Sequence, residues 1–137
     1  MIRTGTDYRE SIRDGREIHV NGERVADVTA HPMFKPLVDI RARIFDMAHA
    51  PETAALMTVR GEGEVNAQAN ALPFSQADWW AKRRATEAVL DAVGGVVTRV
   101  GDETVGEMWS LHDCAATLNE IDPQFAPNIA AHIGRVV

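Results

Sequence analysis

The stretch that decides the reading is residues 14–34, "DGREIHVNGERVADVTAHPMF". Two short runs, "REIHV" and "ERVAD", flank Asn21-Gly22. Asn-Gly between such runs is the strongest short-range hairpin signal, because a type I′ turn needs positive φ at both central residues. The spacing predicts a hairpin over about residues 16–26, with Ile18, Val20 and Val25 as its apolar positions. His31-Pro32 then breaks the chain, since a residue before proline is pushed out of the helical region. Outside this unit the sequence reads as helix and loop.

Upstream, Thr4 or Thr6 can cap a short helix, "DYRESIRD", with Tyr8 and Ile12 on one side and Gly15 as a left-handed C-cap. Downstream, Leu37, Ile40, Ile44 and Met47 fall at helical spacing between Pro36 and Ala48, joined by Val38 and Phe45. Pro51 suits the first position of a shorter helix. Residues 60–73, "RGEGEVNAQANALP", hold two glycines and no period, and predict a loop of the kind that covers a site or meets a partner.

Ser75 opens the longest predicted helix, with Asp78 as a weaker capping-box acid. Its apolar stripe runs through Val89, Val93, Val96, Val97 and Val100. Gly94-Gly95 interrupts that stripe at roughly 1 kcal/mol per glycine, so close packing or a kink is expected there. Gly101-Asp102 reads as a stop and a new N-cap. The next helix is expected to bury Val105, Met108, Trp109, Ala115 and Ala116, with Glu103, Glu107, Ser110 and Thr117 facing water. Asp122-Pro123 signals a last helix, regular from Pro127 through Ile129, Ile133 and Val136. The expectation is a mainly α, single helical domain over residues 1–137, with about four to six helices and one short N-terminal hairpin.

The chain has 137 residues, enough for one domain with its own core. At 45% hydrophobic and 25% charged residues it matches ordinary globular composition. The net charge of −6 argues against nucleic acid as a partner, because displacing counterions needs basic surface. No run of about eighteen apolar residues is present, so a membrane span is not expected, and cytoplasm is the default location. Cys114 is the single cysteine, which rules out an internal disulfide and a multi-thiolate metal site. The five histidines lack metal-ligand spacing, and no metal is expected.

Three constellations could carry chemistry. In "WSLHDC", residues 109–114, His112 shares a helix face with Met108 and Trp109. It could donate a proton or orient a substrate, and is the candidate catalytic residue; the alternative is a packed histidine satisfied by one hydrogen bond. Cys114 is expected to be a buried inert thiol beside Leu111 and Leu118, since neighbouring helical residues point away from the base it would need. Trp79, Trp80, Arg83 and Arg84 could hold a flat or anionic ligand. An interface with another chain suits them better, because Trp and Arg are enriched at binding hot spots.

The segment "GTDYRESIRDGREIHVNGERVADVTAHPMF", residues 5–34, closely resembles the beginning of the 4-hydroxyphenylacetate 3-hydroxylase family of flavoproteins, which includes 4-hydroxybutyryl-CoA dehydratase. The resemblance continues more thinly through "DIRARIFDMAHAPE", "SQADWWAKRRATEAVLDAVG" and "EIDPQFAPNI". It implies the N-terminal helical domain of longer proteins similar to acyl-CoA dehydrogenases, in which a β-domain and a C-terminal helical bundle follow and hold most of the flavin.

On this resemblance the chain is a small subunit of a split flavin-dependent monooxygenase-like enzyme acting on an aromatic or related small molecule. A large subunit would carry the β-domain and bundle, giving a hetero-oligomer. Reduced FAD or FMN is expected in that complex, supplied by a separate flavin reductase, with none bound by this chain alone. The alternatives are a dehydratase subunit, a non-catalytic scaffold or regulatory helical module, or a fragment of a longer flavoprotein.

The sequence also departs from the family. The hydroxylase segment "G-R-S/T-P-D-Y", whose Arg and Tyr help bind the phenol, corresponds here to "GDETVG", residues 101–106. The two dehydratase cluster cysteines correspond to Gly95 and Arg99. By position only, Arg99, Asp102, Glu103 and Trp109 are the substrate-binding candidates, and His112 lies near them.

Overall fold

The computed structural model describes residues 2–61, 63–96 and 102–136. The elements are α1 (Gly5–Ser11), β1 (His19–Val20), β2 (Glu23–Arg24), α2 (Lys35–Met47), α3 (Ala54–Met57), β3 (Thr58–Arg60), β4 (Val65–Ala67), a 3-10 turn (Gln68–Asn70), α4 (Gln76–Ala92), α5 (Asp102–Asp113), α6 (Ala115–Ile121) and α7 (Phe125–Val136). The chain is mainly α, as expected. Among the described residues it has seven α-helices where four to six were expected, and two hairpins where one was expected. No helix of the described residues is long and apolar enough to cross a membrane.

Local chemistry explains the first half. Thr4 caps α1, its hydroxyl accepting from the Asp7 N–H at 3.1 Å while the Thr4 N–H donates to the Asp7 carboxylate at 2.8 Å. Thr6 lies inside the helix. α1 ends at Ile12, short of Gly15, which sits in the following loop at φ +81° and is not the cap. The hairpin forms as predicted, with Asn21 at φ 51° and Gly22 at φ 85° carrying the turn, and Val20 opposite Glu23.

The "DVTAHP" segment fastens this hairpin to both neighbours. Asp27 accepts from the backbone N–H and the hydroxyl of Thr29, and Arg13 of the α1 end reaches both residues. The His31 carbonyl then accepts from Phe34 and Lys35, turning the chain into α2.

The core forms where α2, α3 and α4 meet, from Ile44, Met47, Met57, Ala85 and Val89. The α2 stripe is rotated from the expected one, with Val38, Ala42, Ile44 and Met47 buried and Leu37 exposed. Residues 60–73 are not all loop. Thr58–Arg60 pairs antiparallel with Val65–Ala67, and the 3-10 turn follows. A hairpin of three residues a side carries too little periodicity to be read from sequence.

Ser75 and Asp78 form the capping box of α4 as anticipated. The helix stops at Ala92, and Gly94-Gly95 does not interrupt it but ends it. Both glycines have positive φ, and the Gly95 N–H reaches back to the Leu90 carbonyl at 2.8 Å, a Schellman closure. Val96 is exposed beyond it. Val97, Val100 and Gly101 lie outside the described residues, and nothing is described of the side chains of Glu103 and Val105. The expected single helix after Asp102 is two, α5 and α6, divided at Cys114, the N-cap of α6. Ala116 is exposed, not buried. α7 begins at Phe125, two residues before Pro127, which its first turn tolerates because no N–H is needed there.

Candidate functional site

The first half of α4 faces the loop that precedes it. Capping at Ser75 sets the helix phase, so Trp79, Lys82 and Arg83 fall on adjacent turns of one side. With α2, the N-terminal arm and α5 they enclose an open cavity of about 660 Å³. Its walls are mostly apolar: Ile44, Phe45 and Ala48 of α2, Met57 of α3, and Ala85 and Val89 of α4. Among the described residues Arg3, Arg41, Lys82 and Arg83 supply cations, against one carboxylate, Glu87.

Two of the predicted residues meet here from separate helices. The Trp79 and Trp109 rings lie edge to face, 5.2 Å apart at 88°. Trp109 Nε1 is buried with no hydrogen-bond partner among the described residues. Arg83 also lines the cavity, its guanidinium 5.3 Å from the Trp80 ring and its Nε donating to Glu87 at 2.7 Å. Trp80 and Arg84 are exposed on α4 and are not among the described residues that line the cavity.

Lys82 was not among the residues singled out, and it is the best-held polar group of the site. Its Nζ donates to the carbonyls of Ala69, Ala71 and Gln68 at 2.6, 2.8 and 3.2 Å, and lies 4.4 Å from the Trp109 centroid. Burial pushes its pKa down to about 8, against the pull of the carbonyls, which favour the charged form. The available signal was its i,i+3 spacing from Trp79 in a chain whose only other lysine is Lys35.

The remaining candidates lie elsewhere or outside description. The His112 ring meets Phe74 edge-on at 5.7 Å, and its Nδ1 is 3.4 Å from the Asp113 carboxylate. It is largely exposed and is not part of the cavity wall. Met108 is buried on the same helix, so the face that His112 was expected to share with it is not a common apolar stripe. Cys114 is exposed, contrary to the buried thiol expected, and Leu111, the neighbour it was expected to pack beside, is itself 45% exposed, so that face of the helix is not covered. Arg99 lies outside the described residues, and nothing is described of the Asp102 and Glu103 side chains.

A flavin asks for a cradle for its phosphates and a slot for its ring system. Among the described residues the cavity wall contains no glycine for a close backbone approach to phosphates, so these residues do not by themselves fit an FAD. What they offer is a flat apolar surface, two indole rings and several cations, suited to an aromatic molecule carrying negative charge.

Comparison with known proteins bears on this geometry. The family described as 4-hydroxyphenylacetate 3-hydroxylase N terminal matches residues 4–137. The chain is 40% identical over 101 residues to the oxygenase component of a 4-nitrophenol 4-monooxygenase/4-nitrocatechol 2-monooxygenase of Rhodococcus opacus, covering 72% of this chain and 19% of that protein. It is 49% identical over 49 residues to the oxygenase component of Escherichia coli 4-hydroxyphenylacetate 3-monooxygenase, covering 36% and 9%.

Among solved structures, the crystal structure of a 4-hydroxyphenylacetate 3-monooxygenase oxygenase component superposes with a TM-score of 0.78 at 25% identity, over 97% of this chain and 28% of that one. An archaeal 4-hydroxybutyryl-CoA dehydratase from N. maritimus shares the fold, with a TM-score of 0.80 at 22% identity. The chain therefore corresponds to well under a third of these longer relatives. With the hairpin, the "DVTAHP" anchor and the match across residues 4–137 in agreement, the chain belongs to the 4-hydroxyphenylacetate 3-hydroxylase N-terminal family.

Proposed function

We propose that this chain is the N-terminal helical domain, working as a small subunit, of a flavin-dependent monooxygenase-like enzyme that oxidises an aromatic or related small molecule. The observation that carries the reading is the cavity in which Trp79 and Trp109 meet four cations, in a chain whose relatives are named as oxygenase components acting on phenols. A related oxygenase structure is described as complexed with FAD and 4-hydroxyphenylacetate.

In the proposed enzyme a large subunit contributes the β-domain and C-terminal bundle, a separate reductase delivers reduced FAD or FMN, and the assembly is cytoplasmic. The flavin supplies the oxygen chemistry, and this chain contributes binding and electrostatics. Trp109 lines the substrate side, and Arg99, Asp102 and Glu103 are further candidates by sequence position alone; His112, outside the cavity wall, is assigned no step. Exposed Trp80, Arg83 and Arg84 form the face toward the large subunit.

The test is co-expression with the products of neighbouring genes, followed by purification on this chain. A yellow complex that hydroxylates a phenol when given reduced flavin is the expected result. Failure of any neighbouring product to associate, in a cell that contains them all, overturns the split-enzyme reading.

A second reading is favoured by one specific feature. "GDETVG", residues 101–106, lacks the Arg and Tyr that the resemblance assigns to phenol binding, as a non-catalytic scaffold or regulatory module would. A complex whose turnover is unaffected by changes throughout the cavity would support that module.

A further inference from the structure

Lys82 stands where three separate parts of the fold meet. The carbonyls of Gln68, Ala69 and Ala71 belong to the 3-10 turn and the residue after it, and that turn has no side-chain cap of its own. Ala69 lies in the cavity wall, Trp109 forms another part of it from α5, and Lys82 lines it from α4. An ammonium has three N–H donors and no acceptor, so three carbonyls match its capacity. The attraction to the indole face needs no donor and adds to them.

We infer that Lys82 is a positioning residue: it holds the 68–71 segment and the Trp109 ring in one arrangement and thereby sets the shape of the cavity between them. Its consequence for a ligand rests on the aromatic-site reading above. The signals used below read Lys82 itself, so the two readings fail separately.

Among the described residues no charged side chain competes for this cation. The 68–71 segment carries no ionisable side chain, and neither does α3. On α4, Asp78 is engaged in the capping box and Arg83 pairs with Glu87. Arg41 of α2 and Arg3 of the arm are cations at the same cavity. On α5, Glu107 and Asp113 are exposed and His112 lies against Phe74. Among the described residues no carboxylate pairs with Lys82, and burial is the cause of its lowered pKa.

The experiment is an NMR titration of the full chain from about pH 6.5 to about 9.5, spanning a range where an ordinary lysine stays charged. The Trp109 indole N–H signal is identified by its loss in Trp109→Phe. We expect that signal and the backbone amides of 68–71 to move together with a midpoint of about 8. Lys82→Arg keeps the cation, so the midpoint disappears while amide exchange in 68–71 stays within about twofold. Lys82→Met keeps the stem but not the charge; the midpoint disappears and those amides exchange at least about tenfold faster. A midpoint that survives in either variant, or a Lys82→Met chain with unchanged 68–71 exchange, overturns the inference. Should Lys82→Met fail to fold, the unsubstituted and Lys82→Arg titrations decide.

Discussion

The backbone N–H of Gly5 donates to Asp46 Oδ1 at 2.7 Å, joining the first turn of α1 to the last turns of α2 across 41 residues. The approach leaves no room for a side chain. A Cβ at position 5 would lie 2.5 Å from Asp46 Oδ2 and 2.6 Å from the Ala42 carbonyl oxygen. The side chain of Asp46 can swing away, but the backbone of α2 cannot. Gly5→Ala is therefore expected to destabilise the fold by about 2 kcal/mol, within the range for overpacking a well-packed contact. Urea denaturation measures it, and a loss under about 0.5 kcal/mol would show that α1 docks elsewhere.

Acid should weaken the chain in a defined way. Asp7, Asp27, Asp39 and Asp78 are held below the usual 3.8 by hydrogen bonds from Thr4, Thr29, Lys35 and Ser75 respectively, and Asp14 is lowered to about 2 by Arg16. Between those values and 3.8 the unfolded chain binds more protons than the folded one, so stability rises with pH there. Their contribution is present above about pH 4 and is lost as pH falls through the folded pKa values. Urea midpoints at neutral pH and near pH 3 should show the drop, with Asp27→Asn and Asp78→Asn each flattening it. An identical slope in both variants would place the effect elsewhere.

Lys82 acts at the opposite end of the scale. Its folded pKa of about 8 lies below the ordinary 10.5, so the folded chain releases this proton first. Stability from this group should climb as pH rises from about 8 to 10.5. Urea midpoints across that window should rise more in the unsubstituted chain than in Lys82→Met; equal slopes would contradict the burial of this amine.

The tryptophans should separate by role. Trp80 is 49% exposed and, among the described residues, its one ring contact is with Arg83, so Trp80→Ala should change stability by less than about 0.5 kcal/mol. Trp109 packs on Trp79 and Lys82, and Trp109→Ala should cost about 2 kcal/mol. Under the proposed function Trp80→Ala weakens association with the large subunit, measured by titrating the two chains. Undiminished association would remove Trp80 from the interface.

His112 offers a direct decision about catalysis. A proton donor in the reaction contributes about 10²–10⁴-fold to rate. The ring is set against Phe74 and outside the cavity wall, so His112→Ala in an active complex is expected to change turnover by less than about twofold. A hundredfold loss with unchanged substrate affinity would restore it as the acid.

Sequence by itself determined what local chemistry decides: the Ser75 capping box, a threonine cap for the first helix, the Asn21-Gly22 turn, the long helices and the family membership carried by residues 5–34. Each of these depends on a few neighbouring residues whose preferred backbone angles and hydrogen bonds agree with the final fold. Tertiary structure decided what those preferences leave open. It paired Thr58–Arg60 with Val65–Ala67, turned Gly94-Gly95 from an interruption into a helix end, and put Cys114 at an exposed break. It also brought Lys82 under the carbonyls of 68–71 and against Trp109, 27 positions away in the chain, where no periodicity could have pointed. Caps and turns are encoded within a few residues; a cavity wall exists only after distant helices have packed.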